Sequence, residues 1–202
     1  MAAGRRAWRL TVPLWGLASL CAAAAPVETP TAEVSIEERI VRYRIFGRSA
    51  LELAGQMRQH GPEHALGGRR LAGSTDWHVT WSYQSLPRHG RCELISVTVG
   101  AEIVTTLPEW SGARVESDLA REWRRFYAGL QRHEAGHVQH GREAALAVRD
   151  AMLTATAQPD CKLLRRALDD AARAQLRRYA SLTRRYDAET DFGLQQGVQL
   201  RP

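Results

Sequence analysis

The sequence predicts an α+β domain, a small antiparallel sheet with one short helix followed by two long antiparallel helices. Three observations carry this. Apolar residues alternate at period two over 38–46, 77–84 and 92–107. After Pro108 the period becomes helical and the composition turns to Ala, Leu, Arg and Glu. Pro159 then divides the helical half in two.

The elements follow in order. Val41, Tyr43 and Ile45 alternate with Arg42, Arg44 and Phe46 as a first strand. Ser49 with Glu52 is a capping box for a short helix over 49–60, stopped by Gly61 and Pro62. Glycines 67, 68 and 73 mark a loop. Trp77, Val79, Trp81 and Tyr83 alternate with polar residues, which makes a half-buried strand. A turn at 87–90 joins it to a strand whose Ile95, Val97, Val99 and Ile103 share one face. The first long helix spans 117–157, with Gly129, Gly136 and Gly141 as its weak points. Asp160 caps the second, which runs to about Tyr186 on the stripe Leu164, Leu168, Ala171, Gln175, Tyr179 and Leu182. The tail after it is irregular.

The charge has two sources. The chain of 202 residues carries 28 Lys and Arg against 22 Asp and Glu, a net +6. Arg5, Arg6 and Arg9 precede an apolar run, LTVPLWGLASLCAAAA, that ends in small residues. This is the pattern of a cleaved export signal over 1–25, with an uncleaved anchor as the alternative; the run is short for a membrane span and holds Pro13. Residues 26–37 then read as a Pro- and Thr-containing linker and 38–202 as the working domain; together, residues 26–202 are left with a net +3. The expected location is the periplasm or outside the cell. Arginine pairs such as Arg124-Arg125 and Arg177-Arg178 fall on helices with Glu122, Asp169 and Asp170 nearby, so a solvated face replaces a nucleic-acid reading.

Cys21 leaves with the signal. Cys92 and Cys161 remain, and in an oxidising compartment a disulfide between them is the default. It would close a loop of about 70 residues, worth roughly 4 kcal/mol by loop entropy.

The chemistry lies in the first long helix. His133, Glu134, Ala135, Gly136 and His137 spell H-E-x-x-H. At about 100° per residue the two histidines point the same way one turn apart, so both imidazoles can hold one zinc ion. Glu134 projects beside them, placed to take a proton from a zinc-bound water. The stripe Phe126, Leu130, His133, His137, His140, Ala144, Val148 puts the histidines on the inward face. His140 lies about 10.5 Å along the axis from His133, too far for three imidazoles to converge, and reads as an outer contact or a packed ring. Glu143 has the third-ligand spacing of metzincins, but His140 stands where that class needs Gly. The remaining donors are Asp187, Glu189 and Asp191, with Tyr186 as a candidate hydrogen-bond donor to an oxyanion.

These residues sit in a chain that resembles the predicted secreted zinc-dependent proteases, a bacterial domain family of otherwise unknown function. The likeness covers nearly all of 38–202, through VRYRIFGRSALEL, STDWHVTWSY, CELISVTVGAEIVTTLPEW, HEAGHVQHG, Cys161 and YDAETDFGLQQG. It implies that His133 and His137 bind metal and that Glu134 is the catalytic base of a peptide-hydrolysing enzyme. The family pattern usually has a His where Phe192 stands. A nearby carboxylate must substitute, with Asp191 the first choice before Glu189 and Asp187. The alternative is a degenerate, non-enzymatic envelope protein that keeps the fold.

Overall fold

The computed structural model describes residues 29–63, 68, 70–114 and 116–201. The expected export signal, Cys21 included, lies outside them. The chain runs β1 (Thr31–Ile45), α1 (Ala50–His60), β2 (Ser74–Arg88), β3 (Arg91–Trp110), α2 (Asp118–Leu153) and α3 (Cys161–Glu189). Short 3-10 turns follow β3 at Ser111–Arg114 and α3 at Leu194–Gln196. None of the described helices is long and apolar enough to cross a membrane.

The three strands form one sheet in the order β1-β3-β2. β2 and β3 are the expected antiparallel hairpin, closed by His89 and Gly90, both at positive φ (50° and 73°). Such a two-residue turn has the twist that flanking strands need. β1 lies parallel to β3, so the sheet is mixed rather than purely antiparallel. It also starts at Thr31, inside the stretch read as a linker. Pro26 and Pro30 both precede it, and nothing in 31–37 blocks a ladder.

A second correction concerns phase. Gln84 pairs with Ser96 but Ser85 pairs with Leu94, leaving Ile95 as a bulge. Cys92 and Leu94 take the buried positions before it, and Val97, Val99, Ala101 and Ile103 after it. Ile95 therefore leaves the face it was expected to share.

The Ser49 hydroxyl accepts from the Glu52 N–H and opens α1, while the Glu52 carboxylate accepts from Arg48 N–H, one residue ahead of the cap. Ser117 caps α2 and Asp160 caps α3 in the same way. The glycines of α2 do not break it. A Cβ on Gly129 would lie 2.8 Å from Gln196 O, and one on Gly136 2.4 Å from the Tyr186 ring. They are where neighbouring elements close onto the helix. Cys92 and Cys161 are joined as expected, and paired backbone hydrogen bonds between Cys92 and Gln158 tie the same corner.

Two apolar clusters result. Ile45, Leu53, Leu107, Trp123, Phe126 and Leu130 fill one, at the α1 end. Val97, Val99, Ala144, Val148, Met152, Leu164 and Leu168 fill the other, at the disulfide end. α2 serves both, and the segment between its two contributions is 131–143.

Candidate metal centre

In that gap α2 turns His133, Glu134 and His137 inward, all buried. α3 returns antiparallel and brings Asp187 opposite them. Asp187 Oδ1 lies 3.3 Å from His133 Nε2 and 3.0 Å from His137 Nε2, and the two Nε2 atoms are 3.3 Å apart. A tetrahedral ion with bonds of about 2.0–2.1 Å has ligands about 3.3–3.4 Å apart. The donor triangle fits such an ion and leaves its fourth position free. His133, His137, Asp187 and Glu134 all line a cleft of about 880 Å³.

The groups hold one another's charge. Burial opposes ionisation of Asp187, but the two histidine rings outweigh it and hold the carboxyl well below the usual carboxylate range. Burial also opposes a charged His133; Asp187, Glu134 and Gln196 overcome it and push its pKa upward. Glu134 is only 3% exposed, and burial pushes its carboxyl up against the pull of His137 and of the Thr75 hydroxyl. Thr75 Oγ1 donates to Glu134 Oε2 at 2.9 Å. This hydroxyl comes from the second residue of β2, so the sheet aims the carboxylate that the helix supplies.

A ring of hydrogen bonds fixes His133. Its Nδ1 lies 3.0 Å from Gln196 Oε1, Gln196 Nε2 donates to Tyr186 OH, and Tyr186 OH donates to the His133 carbonyl at 3.1 Å. With Nδ1 carrying the proton, the Nε2 lone pair faces Asp187 and His137. The Tyr186 ring stacks on His133, with centroids 5.1 Å apart and planes 12° apart. His137 has no such support: its Nδ1 is buried without a hydrogen-bond partner among the described residues.

The expected site residues thus divide. His133, Glu134 and His137 are brought together. Asp191 is not the converging carboxylate: it is exposed on the cleft rim at positive φ (48°), and Asp187 takes that place. Glu189 is exposed and outside the group. The Tyr186 hydroxyl, expected to face an oxyanion, is hydrogen-bonded to the His133 carbonyl and to the Gln196 amide. His140 hydrogen-bonds Thr183 at 3.2 Å and stays outside the triangle, as its spacing required. Phe192 stands at the rim, 48% exposed.

Asp187 was hidden by a helix read three residues short. The expected stripe is also out of phase at Ala171, Gln175 and Leu182: the buried residues of α3 are Leu164, Leu168, Ala172 and Tyr179, and Asp187 lies on that face, eight residues beyond Tyr179. Gln196 left no sequence signal of its own.

Comparison with curated proteins and with solved structures finds no match. A family model described as "Bacterial protein of unknown function (DUF922)" matches residues 40–193. That span runs from β1 to the glycine after Phe192 and contains the whole donor triangle. The chain belongs to this bacterial family of proteins of unknown function.

Proposed function

We propose that the protein is an exported zinc-dependent metallopeptidase. The observation that carries the reading is the His133–His137–Asp187 triangle, with ligand separations of 3.0–3.3 Å, beside a buried Glu134 on the wall of an open cleft. Two histidines and a carboxylate with one free position are a donor set used by hydrolytic zinc sites. When bound, the ion supplies Lewis acidity, polarising a carbonyl and lowering the pKa of water.

The chain's own residues supply the rest. His133 and His137 present their Nε2 atoms, and Asp187 adds the negative charge. Glu134, its pKa raised by burial and its carboxylate aimed by Thr75, takes the proton of the attacking water and passes it to the leaving amine. Tyr186 and Gln196 hold His133 in one tautomer. The cleft has the size of sites that take extended ligands. The disulfide and the basic, apolar N-terminus support export.

The second reading, a non-enzymatic envelope protein on the same fold, is favoured by Phe192 standing where the resembled family carries His. The two separate in one pair of measurements, zinc per chain and peptide hydrolysis by the wild type and Glu134→Gln. About one zinc, with hydrolysis lost by roughly 10²–10⁴-fold in the variant, supports the enzyme. Zinc without hydrolysis supports the second reading. Absence of zinc rejects the metallopeptidase.

A further inference from the structure

β1 is an edge strand of fifteen residues that pairs only with β3 among the described residues. The other edge, β2, carries Pro87 just before its last residue, a device that discourages strand addition. β1 has no proline within it. On its helix-facing side Ile36 and Ile40 are left 37% and 54% exposed. Its charges are also segregated: Glu33, Glu37 and Glu38 come first, then Arg39, Arg42 and Arg44.

That order is self-complementary in the antiparallel sense. We propose that β1 pairs with β1 of a second copy about a two-fold axis through Glu38, making one continuous six-stranded sheet. Residues directly opposite in an antiparallel pair share a face. In this register Glu37 faces Arg39 of the second copy twice over, and Ile36 faces its Ile40 twice over. Ser35 meets Val41, and Glu33 meets Tyr43. Glu38 meets itself at the axis, but its carboxylate is already gripped by Arg142 of α2, at 2.7 Å through Nη2. Centring the axis on Glu37 would set Glu37 against itself and Ile36 against Glu38. Centring it on Arg39 would set Arg39 against itself and Ile36 against Arg42. Charge and apolar matching both select Glu38. Glu37 has no ion-pair partner among the described residues, and Arg39 has Glu102 at 3.0 Å and room for a second carboxylate. The contact is isologous and therefore closes at two copies.

The test uses sedimentation equilibrium of the purified protein across the micromolar range. The wild type is expected at twice the monomer mass. Glu37→Arg places arginines opposite each other and Arg39→Glu places carboxylates opposite each other, so each variant alone is expected to be monomeric. Mixed together, they are complementary at both contacts and should form a heterodimer; the double variant Glu37→Arg/Arg39→Glu should dimerise by itself. Restoration on mixing also shows that both variants are folded. A monomeric wild type, single variants that still dimerise, or a mixture that stays monomeric would each overturn the pairing.

Discussion

At the closed end of the helix pair, Ala144, Val148 and Met152 of α2 belong to one dry cluster with Leu164, Leu168 and Ala172 of α3, each of them fully buried. Two to five turns away, the same face of α2 carries His133 and His137 against Asp187. The two ends share a backbone geometry and differ in what burial does. Apolar side chains taken from water stabilise the fold at about 25 cal/mol per Å². Buried charges cost more to desolvate than their attraction reliably returns. The disulfide end therefore stabilises the fold, and the polar end carries a desolvation cost that fits the metal site proposed there.

Changes at the two ends should then have different readouts. The largest stability effect belongs to the disulfide. Replacing Cys92 and Cys161 by Ser should lower the unfolding free energy by about 4 kcal/mol in denaturant titration, with metal affinity unchanged in the folded protein. Next comes Leu164→Ala, which empties a fully buried position and should cost about 3 kcal/mol in the same assay. If either change weakened metal binding in the folded state, the two ends would not be independent.

At the polar end the order reverses. Gln196→Ala removes the nearer partner of His133 Nδ1, leaving Thr190 Oγ1 at 3.4 Å, and should weaken metal binding by about 10–100-fold in a competition titration. The metal-free melting curve should move little. The smallest effect concerns an exposed pair. Arg125, with the backbone N–H of Arg201, holds the Glu122 carboxyl at about 2, below its usual 4.5. A depressed carboxyl stabilises the fold above its unfolded pKa and stops doing so as pH falls through its folded one. Glu122→Gln should thus cost under about 1 kcal/mol at neutral pH. The gap to the wild type should close as pH drops from about 4.5 toward 2, followed by thermal denaturation.

The same contrast explains what was legible in the sequence. The dry end was readable because periodicity reports burial: Leu164 and Leu168 fall on the predicted stripe, and the cysteine pairing followed from two remaining thiols. Ile95 was misplaced because a bulge changes phase without changing composition. The parallel direction of β1 is set by the route through α1 and β2, which alternation does not encode. At the polar end, the H-E-x-x-H spacing placed three of the four converging groups, since local helical geometry fixes them. The fourth comes from a helix fifty residues later. Reading α3 to stop at Tyr186 put Asp187 in a loop with Asp191 and Glu189, where Asp191, next to Phe192, was the first choice. Three more helical residues give Asp187 a fixed direction and leave Asp191 on the rim.

Zinc titration of three proteins separates Asp187 from Asp191 as the third ligand. The wild type and Asp191→Ala should each bind about one zinc per chain with similar affinity, and Asp187→Ala should lose more than about 100-fold, beyond what an outer-shell change produces. Equal binding by Asp187→Ala and the wild type, or loss in Asp191→Ala alone, would contradict it.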